Sequence, residues 1–227
     1  MGVTTDLRSR LGMPAVRAPL PVACALSSLF ADGGLPRGRT VACTGDAALS
    51  AALALSAAAT RAGSWLAVVG VPQLGVGAAL EAGVAIERLV LAQPPTTSRE
   101  WVTTVAALVE GFEVLVVAPP ASLTEHDARR LQSRIVARQS VLVVVHVPVP
   151  PSVVVGSGVG HRTGSGASRV FSADLDVHAN TESWSGIERG GSHITQRMVH
   201  LRVGGRRAPL SREATLDWSC LNDQPVS

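Results

Sequence analysis

A short turn at Thr44-Gly45-Asp46 is the place where this sequence comes nearest to phosphate chemistry. The turn follows a β-branched segment, Thr40 to Cys43, and precedes a run of alanine and leucine that predicts a helix. A loop that holds nucleotide phosphates needs glycines so that backbone N–H groups can wrap the phosphates, a lysine for the β and γ oxygens, and a hydroxyl for magnesium. The sequence therefore has the frame of such a loop.

The charged groups of a phosphate loop are missing from this turn. The chain contains no lysine, so all 20 of its basic residues are arginines. A carboxylate at the start of a helix accepts hydrogen bonds from free N–H groups and occupies the positive end of the helix dipole. We therefore expect Asp46 to be the N-cap of the helix. Thr44, Gly45 and Asp46 would form a degenerate phosphate loop with no cofactor and no metal.

Composition favours a soluble cytoplasmic protein with one domain. The 227 residues contain no uninterrupted apolar run that approaches the ~18 residues of a membrane span. The amino-terminal residues carry arginines and lack the apolar segment of a secretory signal. Three cysteines have neither pairing parity nor metal-ligand spacing, so we expect them to be reduced. A net charge of +3 permits contact with nucleic acid, while 3% aromatic residues leave few surfaces on which bases could stack.

The elements that would position the turn alternate between strand and helix. Continuous apolar runs at 64–70, 112–118 and 141–147 predict strands buried on both faces, and a further strand is expected at 86–92. Helices are predicted from about Val76, Glu100 and Glu125, and Ser122 or Thr124 would cap the last of them. One face of this last helix carries four arginines, and it is either a solvated surface or a patch that binds DNA or a partner: Arg129, Arg130, Arg134 and Arg138. This order predicts an α/β fold with a mostly parallel sheet covered by helices on both faces. Ligands of such sheets collect at the carboxyl ends of the strands, where His146 reads as a core histidine rather than a ligand.

The two ends of the chain differ in composition from its centre. We expect a flexible arm at 1–21, a domain at 22–205 that contains a mobile Gly/Ser loop at 156–168 and a small antiparallel extension, and a tail at 206–227. The tail carries an apolar motif that would either dock on a partner or pack on its own domain. The candidate partner-binding residues are Arg206, Arg207, Leu216, Trp218 and Leu221. The candidate nucleic-acid-binding residues are Arg162, Arg169, Arg189, Arg197 and Arg202.

The chain resembles the RecA family over about residues 22–205, and three segments carry the resemblance. GGLPRGRTVACTG resembles the entry into its phosphate loop, LEAGVAIERLVLAQPPT the helix and strand that follow its first catalytic strand, and FEVLVVAPPASL its Walker B strand. The resemblance implies a P-loop NTPase type of fold. It also marks three departures: Asp46 to Leu49 replaces the phosphate-loop lysine and hydroxyl, Gly70-Val71-Pro72 replaces the water-activating glutamate, and Ala118 replaces the magnesium-associated aspartate. A phosphoryl-transfer site needs all three features, so the resemblance implies a scaffold and not an enzyme.

Within that family the segments SWLAVVGVPQLG and SWSGIERG are similar to the short ImuA-type accessory proteins. This resemblance implies a role in a DNA-damage-induced complex for mutagenic translesion synthesis, beside ImuB, an inactive Y-family polymerase homologue, and an error-prone replicative-type polymerase. Contact with RecA or with single-stranded DNA at the nucleoid belongs to the same expectation. Two alternatives stay open: a divergent DNA-dependent ATPase or recombinase in which arginine clamps phosphate, and a stand-alone DNA-binding protein.

Overall fold

The computed structural model describes residues 17–93, 97–146, 170–186, 194–206 and 208–218. The arm predicted at 1–21 lies outside these residues up to residue 16, and the loop predicted at 156–168 lies outside them entirely. Among the described residues, no helix has the length and apolar character needed to cross a membrane.

Ten strands and five helices alternate along the described part of the chain. The strands are β1 (Leu20–Pro21), β2 (Gly34–Leu35), β3 (Arg39–Thr44), β4 (Leu66–Val69), β5 (Leu89–Ala92), β6 (Val114–Val117), β7 (Val141–Val145), β8 (Leu175–Ser185), β9 (Gln196–Gly205) and β10 (Ala208–Asp217). The helices are α1 (Cys24–Ser27), α2 (Ala48–Arg61), α3 (Val76–Glu81), α4 (Ser98–Leu108) and α5 (Glu125–Arg138), and a 3-10 turn at Ile86–Arg88 precedes β5.

The main sheet has eight strands in the order β10-β9-β8-β3-β7-β6-β4-β5. All neighbours from β8 to β5 run parallel, whereas β9 and β10 are antiparallel additions beyond β8. β1 and β2 form a separate antiparallel pair. The prediction of a mostly parallel α/β sheet with a small antiparallel extension is confirmed.

The central strands are apolar along their whole length because helices cover both sides of the sheet. Every residue of β4, β6 and β7 is buried. Val68, Val116 and Val143 belong to the core under α2, and alternate residues such as Leu115 and Leu142 belong to the core under α4 and α5. Apolar packing on both faces of the sheet therefore fixes the positions of its strand ends.

Helix ends follow local sequence signals at α4 and α5. The side chain of Thr97 accepts a hydrogen bond from the Glu100 N–H at 3.4 Å, and that of Thr124 accepts one from the Asp127 N–H at 3.2 Å. Gly63 follows α2 with φ +103°, as expected of a residue that ends a helix. The prediction that Ser122 or Thr124 caps α5 is confirmed for Thr124.

The prediction of a tail from residue 206 is wrong for residues 208–217, which form β10. β10 pairs with β9 over seven residue pairs that include Thr215 with His200 and Asp217 with Met198. Ala214, Leu216 and Trp218 recur at every second position and pack against the core under α2, which explains why this segment joins the sheet. The polar residues on the outward face of β10 led to the prediction of a tail.

Candidate functional site at the carboxyl edge of the sheet

The Thr44-Gly45-Asp46 turn lies at the middle of the sheet, after the carboxyl end of β3. β7 and β8 flank β3 on its two sides, and the turn leads directly into α2. In open α/β sheets this edge is where ligands bind. The turn therefore occupies the position that the sequence motif predicted for it.

Gly45 is held against β8 so closely that a side chain could not fit. Its φ is +98°, and a Cβ atom at this position would lie 2.1 Å from the Ala179 carbonyl oxygen and 2.6 Å from the side-chain amide of Asn180. β8 continues past the last residue of β3 that it pairs with, Thr44, and runs over the turn. The glycine therefore allows the backbone of the turn to approach the backbone of β8. The sequence motif had suggested that a glycine here would let the backbone approach a phosphate.

Asp46 is not the N-cap of α2, and the sequence prediction is wrong at this residue. The N-cap is Ala47, which forms no side-chain capping hydrogen bond. Asp46 Oδ1 instead accepts a hydrogen bond from the Thr181 N–H at 2.9 Å, and the Ala47 N–H donates to the Ala179 carbonyl at 3.1 Å. Because β8 supplies both a donor and an acceptor at this point, the Asp46 side chain and the Ala47 N–H bond across to the strand.

The electrostatics of the turn favour a carboxylate. Desolvation alone would raise the pKa of Asp46, but hydrogen bonds from Thr181 and the positive charge of Arg197 outweigh it, so the pKa lies below its usual value. Asp46 is therefore ionised at neutral pH. A negative charge fixed in this turn opposes the approach of a phosphate.

Arg197 and Trp184 form a stack beside the turn, which we call the Arg197–Trp184 platform. Arg197 donates from Nε and Nη2 to Thr181 Oγ1 at 3.2 and 2.9 Å, and from Nη1 to Ser50 Oγ on α2 at 3.0 Å. Its guanidinium carbon lies 4.6 Å from the centre of the Trp184 ring. Trp184 is 43% exposed. The platform joins β8, β9 and α2 and leaves part of the Trp184 ring exposed.

A chain of hydrogen bonds also fastens the turn on the other face of the sheet. Thr44 Oγ1 lies 2.9 Å from His178 Nδ1. With the Asn180 amide oriented to satisfy its neighbours, Asn180 Oδ1 accepts from His178 Nε2 at 2.9 Å and its Nδ2 donates to Asp46 Oδ1 at 3.2 Å. A hydroxyl, an imidazole and an amide stand here in the order of a nucleophile, a base and an orienting group. His178 and Asn180 are exposed, so no desolvation activates them.

The carboxyl ends of β4 and β6 are closed by close packing. A Cβ atom on Gly70 would lie 2.8 Å from the Ala118 carbonyl oxygen and 3.4 Å from Trp101 Nε1. The resemblance to RecA placed the glutamate and aspartate of a nucleotide site at Gly70 and Ala118, and here these residues pack together. Among the described residues, Trp101 Nε1 and His146 Nε2 are buried without a hydrogen-bond partner, and burial lowers the pKa of His146. His146 is thus a neutral histidine at the end of β7.

The other candidate residues separate into three places. Arg202 lies on the open face of β9, where its Nε is 3.5 Å from Glu213 Oε1, and Arg206 lies at the opposite edge of the sheet. Leu216 and Trp218 pack on the core, so these two side chains pack on their own domain, which was one of the two alternatives for this motif. Arg162, Arg169, Arg189, Arg207 and Leu221 lie outside the described residues. Arg197 is the only described candidate that reaches the turn.

The sequence analysis missed Ser50, Thr181 and Trp184 as partners of Arg197. Trp184 could have been noticed, because a tryptophan in a polar segment often marks a contact surface. The arginine face of α5 makes surface ion pairs, with Arg129 bonded to Glu125 and Arg138 to Glu110. These pairs agree with the solvated alternative for that helix.

Residues 28–151 match the sequence model of the MT3502 N-terminal domain. The matched range runs from before β2 to beyond β7, so β8, which closes the turn, and the two strands β9 and β10 lie outside it. No curated protein matches the chain. Within the described residues, no group of three histidine, cysteine, aspartate or glutamate side chains is arranged to hold a metal ion.

Proposed function

The chain belongs to the MT3502 N-terminal domain family, and we propose that it is a non-catalytic RecA-like accessory protein of the mutagenic translesion-synthesis complex. Its direct partner would be an ImuB-like inactive Y-family polymerase homologue in the cytoplasm. Through that partner it would join an error-prone replicative-type polymerase, with RecA and single-stranded DNA as further contacts. The P-loop NTPase type of fold is part of the same proposal.

The position of β3 supports the RecA-like part of the proposal. The strand is central, passes through a glycine turn into a helix, and has both sheet neighbours supplied from later in the chain. The three segments that resemble RecA contain the turn, β5 and β6.

The observation that carries the non-catalytic part is the contact between β8 and the turn. The Ala47 N–H is bonded to the Ala179 carbonyl, and the Asp46 carboxylate is bonded to the Thr181 N–H. A bound phosphate would have to break these bonds and displace an ionised carboxylate. Charge clamp, cation site and oriented water would all be absent from such a site.

Calorimetric titration with ATP and magnesium tests this part directly. We expect no heat of binding for the full chain. The matched variant is Asp46→Asn, which removes the negative charge and keeps an oxygen for Thr181, and it too should bind no ATP. Saturable ATP binding by the unmodified chain, weakened by substitution of Arg39 or Asp46, would favour the divergent ATPase.

A pull-down with matched tryptophan variants tests the scaffold part. Trp184→Ala removes the exposed ring of the Arg197–Trp184 platform. Trp65→Ala removes another exposed tryptophan, 41% exposed and stacked at 5.6 Å on Arg88, from a different part of the sheet. We expect an ImuB-like polymerase homologue to be recovered by the unmodified chain and by Trp65→Ala, and to be depleted with Trp184→Ala. Failure of the unmodified chain to recover it from DNA-damaged cells would contradict the proposal.

A second candidate function, binding of single-stranded DNA, is favoured by the same platform. An arginine stacked on an exposed tryptophan can receive a base, and Ile194, 56% exposed, lies close by in sequence to Arg197. Against it, Arg197 and Arg202 point to opposite faces of β9, and Arg202 is paired with an acid. A binding isotherm for labelled oligothymidylate that falls steeply with salt and is lost in Trp184→Ala would establish it.

A further inference from the structure

A cleft of about 1070 Å³ opens at the amino-terminal edge of the sheet, opposite the closed turn. Residues 17–19 before β1 and residues from 29 to 39 around β2 form one wall, and the start of β8 and the turn from β9 to β10 form the other. Its floor is apolar and includes Leu29, Phe30, Leu175 and Val203, all buried. Four arginines line it together with two aspartates: Arg17, Arg37, Arg39 and Arg206 with Asp32 and Asp174.

Arg39 and Arg206 both contact one short segment, 172–174, that precedes β8. Asp174 Oδ2 accepts from the Thr40 N–H at 3.1 Å, and its Oδ1 lies 3.9 Å from Arg39 Nη1. Arg206 donates to Ser172 Oγ and lies 3.4 Å from the Ala173 carbonyl. The preceding residue, Gly205, has φ +126°, and a Cβ there would lie 2.8 Å from the Asp174 carbonyl oxygen. The glycine lets the β9–β10 turn approach this segment and sets the place of Arg206.

Arg39 has bonding capacity left for a ligand. Among the described residues its guanidinium makes no hydrogen bond, and its side chain is 31% exposed. Arg37 differs, because it donates to the Ala18 carbonyl at 3.0 Å and to Glu113 at 3.2 Å and so serves the structure. A planar guanidinium with free N–H groups binds carboxylates and phosphates in a forked geometry.

The lining favours an acidic peptide over a nucleic acid. Asp32 and Asp174 would repel a row of phosphates, whereas the exposed Asp32 can accept hydrogen bonds from peptide N–H groups. Leu29, Phe30, Leu175 and Val203 each expose 5% or less of their surface to the cleft, so the apolar floor is a small patch. It has no open ring on which a base could stack, and it has room for contact with one aliphatic side chain.

We propose that this cleft binds an acidic peptide segment of another protein, with Arg39 and Arg206 holding carboxylates and an apolar side chain of the segment on the floor. The site stands apart from the Arg197–Trp184 platform, and it does not depend on the proposed role in translesion synthesis.

Fluorescence anisotropy with a labelled synthetic peptide that alternates glutamate with leucine tests the site on the full chain. The comparison probes are the same peptide with glutamine for glutamate, the same peptide with serine for leucine, and a labelled oligothymidylate. We expect the glutamate–leucine peptide to bind at least about tenfold more tightly than each comparison probe, because charged hydrogen bonds and apolar burial each contribute about that much.

Variants then locate the site. Arg39→Gln with Arg206→Gln should weaken the peptide by about tenfold or more. Arg130→Gln with Arg134→Gln removes the same charge from the exposed face of α5, outside the cleft, and should change affinity by less than about twofold. Ala31→Trp places a ring in the cleft from an exposed position and should weaken binding without altering the folded circular dichroism spectrum.

Three results would overturn the proposal. The first is equal binding of the glutamate and glutamine peptides. The second is equal loss of affinity in the α5 control and in the Arg39 and Arg206 variant. The third is tighter, Arg39-dependent binding of the oligothymidylate, which would assign the cleft to nucleic acid.

Discussion

Arginines at the carboxyl and amino ends of the parallel strands differ in how many bonds they make within the protein. At the carboxyl edge Arg197 is bonded to Thr181 and Ser50 and stacked on Trp184. At the amino edge Arg39 lines a cleft and has an ion pair at 3.9 Å as its closest charged contact among the described residues. The edge at which α/β sheets ordinarily bind ligands is thus filled by the chain itself, and open, charged space lies at the other edge.

The difference between the edges comes from the length of β8. β8 runs past β3 at the carboxyl edge and bonds to the turn, while at the amino edge it begins within β3, opposite Val41. A strand that overhangs at one end and is short at the other closes the first end and leaves room at the second. The location of binding in this fold therefore depends on strand register as much as on residue type.

The largest expected effect tests the closed edge at Gly45. Gly45→Ala would place a Cβ 2.1 Å from the Ala179 carbonyl at φ +98°, so we expect a loss of about 4 kcal/mol or more in the free energy of unfolding. Gly63→Ala is the control, because Gly63 has φ +103° and a Cβ added there would meet no atom within 4 Å; it should cost only about 1 to 2 kcal/mol. Urea denaturation measures both, and equal losses would show that contact with β8 is unimportant.

A smaller effect on the free energy of unfolding is expected when Arg197 and Arg39 are each replaced by methionine. Arg197→Met removes hydrogen bonds to Thr181 and Ser50 and should lower the free energy of unfolding by about 1 to 2 kcal/mol. Arg39→Met should change it by about 0.5 kcal/mol or less, because Arg39 holds no hydrogen bond among the described residues. Thermal denaturation of the two variants gives the comparison, and a reversed order would mean that the amino edge is the structural one.

A pH effect is expected at His146, at the carboxyl end of β7. Burial lowers the pKa of His146 below 6.5 in the folded state, so the unfolded chain binds the proton more readily. Stability is then complete above pH 6.5 and declines as pH falls through 6.5 toward the folded pKa. His146→Gln should remove a decline of less than about 1 kcal/mol, since the ring is only half buried. Denaturation midpoints measured across this range should differ in slope between variant and wild type.

The smallest expected effect concerns the charge of Asp46. Its folded pKa lies below 3.8, so its contribution is present above pH 3.8 and is lost as pH falls through the folded pKa. Asp46→Asn should destabilise the protein at neutral pH by about 0.5 kcal/mol, because this exposed charge is screened by solvent. The difference from wild type should vanish in acid. A difference that persists at low pH would assign the effect to shape instead of charge.

Much of the sheet could be predicted from sequence because its strands carry their own signal. Continuous valine and leucine runs at β4, β6 and β7 predict burial on both faces without knowledge of any neighbour. Thr97 and Thr124 are caps because their partners lie three residues away in the chain. The strand expected at 86–92 is shorter in the structure, since Ile86–Arg88 is a 3-10 turn and the strand begins at Leu89.

The site could not be predicted in the same way because its partners are remote in sequence. Asp46 has the residue type of a helix cap, and only the position of Thr181, 135 residues later, explains its actual bond. The cleft likewise joins the amino-terminal wall to Arg206, so its lining has no local pattern. β10 was missed because one face of the strand is polar, and its buried face depends on where β9 lies.

The remote origin of β8 also has a consequence for synthesis of the protein. The Thr40 N–H and Asp174 Oδ2 are joined across 134 residues, yet β3 is among the first strands to leave the ribosome. A nascent chain that has reached β7 holds its central, apolar strand as an open edge, and an open edge can pair with strands of other chains. Contacts of such long range also slow folding. The order of the strands therefore leaves the edge of β3 open to mispairing from the completion of β7 until β8 emerges.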